Sequence, residues 1–272
     1  MDGQDGKYAF IQVITGEKSW SIPFPFSEFS ASGGKFAVKI GPNMFSENGV
    51  SIDMNDNGLI IKGRIGYGRF TPIRYDIMGP FSILPFLECH HAIYSLHHTL
   101  NGSLQVNNTL LDFTGGQGYI EQDWGVSFPK KYIWMQTNDF PDENLPGLPD
   151  KLKAPGKGCL FLSIADIPFL GRNFQGCICI LYIFGKEYRF ATYLGVKIIQ
   201  ANKKSVILLQ GSYTLVIDIE DDRAHSLKAP LRGEMTRIIW ESEACRVHIR
   251  FFKKSALLLD HVSENTSFEF VE

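Results

Sequence analysis

Gly115-Gly116-Gln117-Gly118-Tyr119-Ile120-Glu121-Gln122-Asp123-Trp124-Gly125-Val126-Ser127-Phe128-Pro129-Lys130-Lys131-Tyr132-Ile133-Trp134-Met135-Gln136-Thr137-Asn138 sets carboxylates, lysines and indoles among strand-forming residues. Core strands do not need that mixture. The glycines permit tight turns or close backbone approach, and residues 132–137 have the aromatic and β-branched content of a strand. Glu121 and Asp123 are two apart, so an extended backbone aims both carboxyls at one face, with Gln122 and Trp124 on the other. Working outward, short alternating or apolar runs separated by turn residues fill the chain on both sides, at 8–14, 19–23, 35–40, 49–54, 59–66, 92–99, 102–106 and 109–113 before it. After it come 158–164, 174–184, 186–192, 196–201, 205–210, 213–219, 233–241, 245–252 and 256–262. Asn55-Asp56-Asn57-Gly58 and Asn107-Asn108 are hairpin signals. No long amphipathic helix interrupts these runs. The expected fold is all-β, with antiparallel sheets that close into barrels or stack as sandwiches to hide their edges.

At 272 residues the chain can bury a large core as one large or two ordinary domains. The stretch Phe140-Pro141-Asp142-Glu143-Asn144-Leu145-Pro146-Gly147-Leu148-Pro149-Asp150 breaks the strand pattern. It suggests an N-terminal β domain over 1–140, a linker or loop over 141–157 and a C-terminal β domain over 158–272. A formal net charge of −2 argues against a general nucleic-acid surface. No apolar run is long enough for a transmembrane helix and the first residues do not read as a signal peptide, so a cytoplasmic protein without an integral membrane segment is expected. Peripheral membrane contact stays open, as does the oligomeric state. Five cysteines without framework spacing fit a reducing compartment.

The order E-x-D-W-G-x-S-F-P-K-K-Y-x-W-x-Q-T-N over residues 121–138 resembles the tocopherol cyclase family, whose members carry E-x-N-W-G-x-x-F-P-[KR]-[KR]-[WY]-x-W-x-Q-x-N. Leu227-Lys228-Ala229-Pro230, Gly233-Glu234-Met235 and Ile239-Trp240-Glu241 resemble that family's L-x-A-P, G-E-[LM] and I-W-E segments. Pro85-Phe86-Leu87-Glu88-Cys89-His90-His91, before Asn101-Gly102, is a weaker third match. The resemblance implies two lipocalin-like antiparallel β-barrels, or strongly bent sandwiches. Three departures stand out. Asp123 replaces the family's Asn, a plant-type C-R-D-x-C insertion between Pro230 and Gly233 is missing, and the family's early G-W-Y-[FY]-K segment is absent. The last implies a first domain that lacks its opening segment and frays near residues 7–13.

By resemblance the activity is closure of a chromanol ring, in which an alkene of a prenylated quinol is protonated and the phenol oxygen adds to the tertiary cation. That chemistry needs an acid protonated near neutral pH, aromatic faces for the cation and exclusion of water. A carboxyl in an apolar pocket supplies the acid, and a neighbouring carboxylate raises its pKa further. The expected catalytic residues are Glu121 and Asp123, with Lys130 orienting the phenol. Tyr119, Trp124, Tyr132, Trp134, His91 and Trp240 are the expected substrate contacts. Each has a plainer reading: the carboxyls as a turn cap or as ion-pair partners of Lys130 and Lys131, the indoles as core, Trp240-Glu241 as a strand end. Glu88 with His90 is a second, weaker acid/base pair. His90, His91, His97 and His98 alternate across a strand, so no tetrahedral metal set is expected, and no cofactor fingerprint occurs. A non-catalytic carrier for a hydrophobic small molecule is the alternative to an enzyme.

Overall fold

The computed structural model describes residues 2–3, 6–15, 19–56, 58–84, 87–140, 158–169, 172–221, 224–232 and 234–272, and within them every regular element is a β-strand or a short 3-10 turn. The expected linker at 141–157 lies outside the described residues, as do Asn57, Pro85, Phe86 and Gly233 of the sequence motifs. No helix among the described residues is long and apolar enough to cross a membrane.

A three-stranded sheet opens the chain: β1 (Asp2–Gly3), β2 (Gly6–Ile14) and β3 (Ser19–Pro25). The second sheet comprises β4 (Phe29–Ala31), β5 (Ala37–Ile40), β6 (Asn43–Ser46), β7 (Gly49–Asp56), β8 (Leu59–Tyr67), β9 (Cys89–Val106), β10 (Thr109–Asp112) and β11 (Gln117–Gly125). It is a meander until β9, whose 18 residues serve three partners. Their C-terminal part pairs with β8 and β10, and the part from Cys89 to Thr99 pairs with β11. The third sheet holds β12 (Tyr132–Thr137), β13 (Cys159–Phe169), β14 (Arg172–Ile183), β15 (Lys186–Ala191), β16 (Lys197–Asn202), β17 (Ser205–Gln210), β18 (Tyr213–Asp221), β19 (His225–Leu231), β20 (Glu234–Lys253) and β21 (Ala256–Val271). Its order is β15-β14-β13-β12-β21-β20-β18-β17-β16, with β19 on the free half of β20.

All ladders are antiparallel, as the alternation predicts, and Asn107 takes the positive φ of 52° that the β9–β10 turn demands. The third sheet curls until Phe190, Val206, Leu208, Leu215, Val247 and Phe251 meet in one core, yet no ladder joins β15 to β16 among the described residues. Strongly bent sheets therefore describe the fold, and among the described residues neither large sheet is closed by hydrogen bonds into a barrel. Sheet membership changes across residues 126–131. β12 pairs with β13 and β21, so it belongs with the C-terminal strands although the Pro-rich break at 141 suggested otherwise. Burial on both sides outweighs chain proximity here.

The N-terminal hairpin is not frayed along residues 8–14. β2 pairs with β3 from Tyr8 to Ile14, and on its other side β1 reaches only Gly6 and Lys7. Side chains extend the contact instead: Gln12 Nε2 donates to the Lys228 carbonyl at 3.2 Å and the Met235 N–H donates to Tyr8 Oη at 3.3 Å. Ala9, Ile11 and Ile22 enter the core of the second sheet with Val50, Leu59 and Ile61. The hairpin thus spans both large sheets.

A third core lies where those sheets meet, built from Ile93 and Leu96 of β9, Phe161 of β13, Ile178 and Ile180 of β14 and Ile77 of the β8–β9 connection. Arg189 holds that connection in place: its guanidinium donates to the Tyr75 and Asp76 carbonyls at 2.9 Å, stacks 3.7 Å from the Tyr75 ring and pairs with Glu187 at 2.7 Å. The Tyr193 hydroxyl donates to the Ile77 carbonyl at 2.9 Å. One wall of the junction is thereby fixed to the sheet opposite.

Candidate functional site

Residues directly opposite one another in antiparallel strands project to the same face. In the third sheet the register Ile178↔Ser163, Ser163↔Trp134, Trp134↔Glu269 and Glu269↔Glu241 therefore draws one transverse row across five strands. The row runs from apolar to acidic. Its opposite face carries the main core, with Ile133, Leu162, Cys177 and Phe268. The row itself faces the second sheet, where β11 presents Glu121 and Asp123 and β9 presents His91.

A pocket of about 170 Å³ lies between them, lined by Cys89, His91, Glu121, Asp123, Phe128, Tyr132, Trp134, Ser163, Glu241 and Glu269 among others. A second, mostly apolar cavity of about 280 Å³ extends past Ile178 toward Met78, Phe81, Leu84, Leu87 and Phe174. The two share Cys89, His91, Pro129 and Ser163 in their walls. An apolar chamber thus opens beside an acidic one.

The expected strand alternation holds at the key segment. Glu121 and Asp123 share the pocket face, while Gln122 accepts from the Tyr94 hydroxyl at 2.9 Å on the other and Trp124 stacks on His90 with ring centroids 5.3 Å apart. Two register shifts between Gly118 and Glu121 adjust β11 against β9. At its far end Gly125 has φ 152°, and an added Cβ would lie 2.1 Å from the Glu88 carbonyl oxygen. Only glycine permits that approach, which holds the acidic strand against β9 at the pocket rim.

Tyr119 donates its hydroxyl to Glu121 Oε2 at 2.6 Å, and His91 Nδ1 lies 2.6 Å from Asp123 Oδ1. Beneath both, Phe161 is wholly buried, with its ring centroid 6.4 Å from Tyr119 and 6.1 Å from His91. On the opposite wall the Tyr132 hydroxyl donates to Glu269 Oε2. Glu269 and Glu241 are both buried and face each other across the β20–β21 ladder. Arg237 binds the Pro129 and Lys130 carbonyls at 2.7 and 2.5 Å and lies 5.9 Å from the Tyr132 ring, which fixes the crossover between the sheets.

Burial is the main reason these acids hold their protons, since it disfavours the ionised form. Desolvation, then the Asp123 charge, pushes Glu121 up to about 8. Glu241 is raised by burial, then by Glu269 and Glu243, and Glu269 by burial against the opposing pull of the Tyr132 hydrogen bond. Burial opposes the charge on His91, but the adjacent Asp123 and Glu121 outweigh it and its pKa is raised. Each wall thus carries two carboxyls beside a polar neighbour. On one side these are Glu121 and Asp123 with His91. Glu241 and Glu269 with Tyr132 form the other.

Of the residues singled out in the sequence, Glu121, Asp123, His91, Tyr132 and Trp134 line the pocket and Tyr119 supports it through Glu121. Three do not. Lys130 is exposed and contributes its carbonyl to Arg237. Trp124 is 46 % exposed because it occupies the outer face of β11, and Trp240, at 58 %, alternates away from its pocket-lining neighbour Glu241. Glu88 and His90 form no acid/base pair: Glu88 borders the apolar cavity, and no hydrogen bond or ion pair joins it to His90 among the described residues. His98 lies away from His91, between Tyr67 and Phe70, with Nδ1 3.0 Å from Ser95 Oγ. Cys89, His91 and Asp123 do offer metal-ligand atoms within 4.8 Å of one another. The 2.6 Å approach of His91 to Asp123 suits a charge-assisted pair, whereas two ligands on one tetrahedral ion stand roughly 3 Å apart.

Glu269 and Ser163 were missed in the sequence. Glu269 alternates with the apolar Phe268 and Phe270, which reads as a solvated face until a second sheet covers it. Glu241 was visible only as part of Ile239-Trp240-Glu241.

A probable chloroplastic tocopherol cyclase of Oryza sativa subsp. japonica is 29 % identical to this chain over 75 residues, and a chloroplastic tocopherol cyclase of Zea mays is 29 % identical over 76. These matches cover 28 % of this chain and 16 % of each relative's length. In three dimensions the chain is similar to kievitone hydratase from Nectria haematococca, with a TM-score of 0.50, 12 % identity, and coverage of 93 % of this chain and 75 % of that one. At that identity the likeness concerns the fold. The model of the family described as tocopherol cyclase-like matches residues 46–270, and the chain belongs to that family.

Proposed function

We propose that this protein is an acid-catalysed cyclase acting on a prenylated quinol or a similar apolar alkene. The observation that carries the reading is the meeting of two carboxyl pairs, one from each large sheet, in a pocket that shares Cys89, His91, Pro129 and Ser163 with the wall of an apolar cavity. Pairs whose environments drive their proton affinities apart supply an acid and a base side by side. Glu121 delivers its proton to the less substituted alkene carbon. The π electrons form the new C–H bond and leave a tertiary cation. Tyr132, Trp134 and Phe128 turn aromatic surface toward it, and the nearby carboxylates stabilise its charge. The phenol oxygen then closes the ring by donating a lone pair to the cation, and its proton passes to an ionised carboxylate of the pocket. Protons balance over the cycle, so no cofactor is consumed.

Glu241 and Glu269 are the second acid and base in this scheme, and Tyr119 is a positioning residue that orients the Glu121 carboxyl. The apolar cavity takes the prenyl tail. A carrier would need that cavity alone; it would not need Glu241 and Glu269 buried opposite one another at the cost of desolvating them.

The test is turnover of prenylated hydroquinones of graded tail length, followed by mass spectrometry and chromatography. Ring closure by the wild type, with Glu121→Gln and Glu241→Gln each reducing kcat by roughly 10²–10⁴ while leaving the ligand dissociation constant within a few-fold, supports the proposal. Tight binding of the series with no product would establish the carrier instead.

A further inference from the structure

Three separate segments contribute both lining residues of the apolar cavity and exposed apolar side chains next to them. Around the 3-10 turn Gly79–Ile83, Ile83 is 82 % exposed, and Leu84 and Leu87 line the cavity just behind it. Beside the lining residue Glu88, Val126 is 60 % exposed and is held there by its N–H, which donates to the Glu88 carbonyl at 2.9 Å. The β13–β14 hairpin brings exposed Pro168, with Ile167 and Phe174 on the cavity wall. Large apolar side chains thus stand in water beside residues that line the cavity. That is the signature of an interaction surface.

The charge at the same rim is cationic. Lys130 and Lys131 follow Pro129 of the cavity wall, Arg172 closes the hairpin, and all three are exposed. The rim acids Glu88 and Asp166 are partly buried by comparison. Trp124 adds a half-exposed indole beside Val126, a side chain suited to the boundary between headgroups and hydrocarbon. Exposed apolar residues bordered by lysine and arginine match an anionic lipid surface in both respects. A water-soluble ligand would gain nothing from them.

We propose that this rim docks on the surface of an anionic bilayer, with Ile83 and Val126 entering the acyl boundary and Lys130, Lys131 and Arg172 meeting lipid phosphates. The cavity then opens directly onto the phase in which an apolar alkene dissolves. The inference uses the cavity and its mouth and is independent of any chemistry inside, so its test reads membrane binding alone.

Flotation of the purified full chain with vesicles of phosphatidylcholine containing phosphatidylglycerol, and with vesicles of phosphatidylcholine alone, provides that test. The wild type is expected to float with the anionic vesicles, less so as salt rises. Ile83→Asp with Val126→Asp should keep the protein in the bottom fraction while circular dichroism stays unchanged, since both side chains already stand in water. Lys130→Gln with Lys131→Gln should weaken partitioning roughly fivefold per lysine. Wild-type protein that fails to float, or floats equally after the aspartate substitutions, overturns the proposal. So does a dimer that these substitutions convert to monomer without any vesicle binding, because a second copy would then cover the rim.

Discussion

Replacing Glu241 by Gln should make the protein more stable in alkaline buffer and less active at the same time. Glu241 is buried and directly opposite Glu269, so its folded-state pKa is raised from 4.5 to about 10. A raised acid contributes stability that is fully present below the unfolded value and is lost as pH rises through the folded one. At pH 8 the unfolded chain has released this proton while the folded protein still holds it. Each unit between 4.5 and the working pH is then worth about 1.4 kcal/mol. The sum to pH 8 is roughly 5 kcal/mol, and water in the pocket screens part of it, so a net effect of about 2–3 kcal/mol is expected. Glutamine keeps the shape and has no proton to lose. Near pH 5 the two proteins should therefore melt together, whereas at pH 8 the variant should melt higher by roughly 5–10 °C. Thermal melts of both proteins across pH 5–9 make the comparison. Parallel pH profiles would refute the claim that Glu241 is held protonated against Glu269.

Asp123→Asn removes a charge that raises Glu121 and the partner that supports His91. The alkaline limb of the pH–rate profile should move to lower pH, toward the ordinary carboxylate range, and the variant should retain activity in acid; an unmoved limb would assign the titration to another group. Ala165→Phe places a ring in the apolar cavity that Ala165 lines, away from the carboxyls. It should raise KM for long-tailed substrates with little change in kcat for the shortest, as seen in steady-state kinetics across tail lengths.

Strand periodicity and turn chemistry are local properties, and they made the all-β fold legible. The hairpin at Asn107-Asn108 and the shared face of Glu121 and Asp123 both follow from φ preference and the two-residue repeat. Register across the third sheet is not local. Nothing near Glu269 in the chain says that it will stand between Trp134 and Glu241, and its alternation with buried Phe268 marks only that it faces away from one core. The same limit misplaced Lys130 and Trp124. Both sit in the informative segment, but one lies on the crossover held by Arg237 and the other on the outer face of β11. Sequence proximity to Glu121 carried them into the expected site. The position of β12 in the C-terminal sheet likewise depends on pairing with β21, more than a hundred residues away.

Turnover of a prenylated hydroquinone in D2O bears most directly on the central claim, that a pocket carboxyl protonates a carbon–carbon double bond. The proton on Glu121 exchanges with solvent before each cycle, so the account predicts a ring-closed product carrying one carbon-bound deuterium at the former alkene carbon, and loss of that product in Glu121→Gln. A ring-closed product without carbon-bound deuterium, or one formed at the wild-type rate by Glu121→Gln and Glu241→Gln alike, would contradict it.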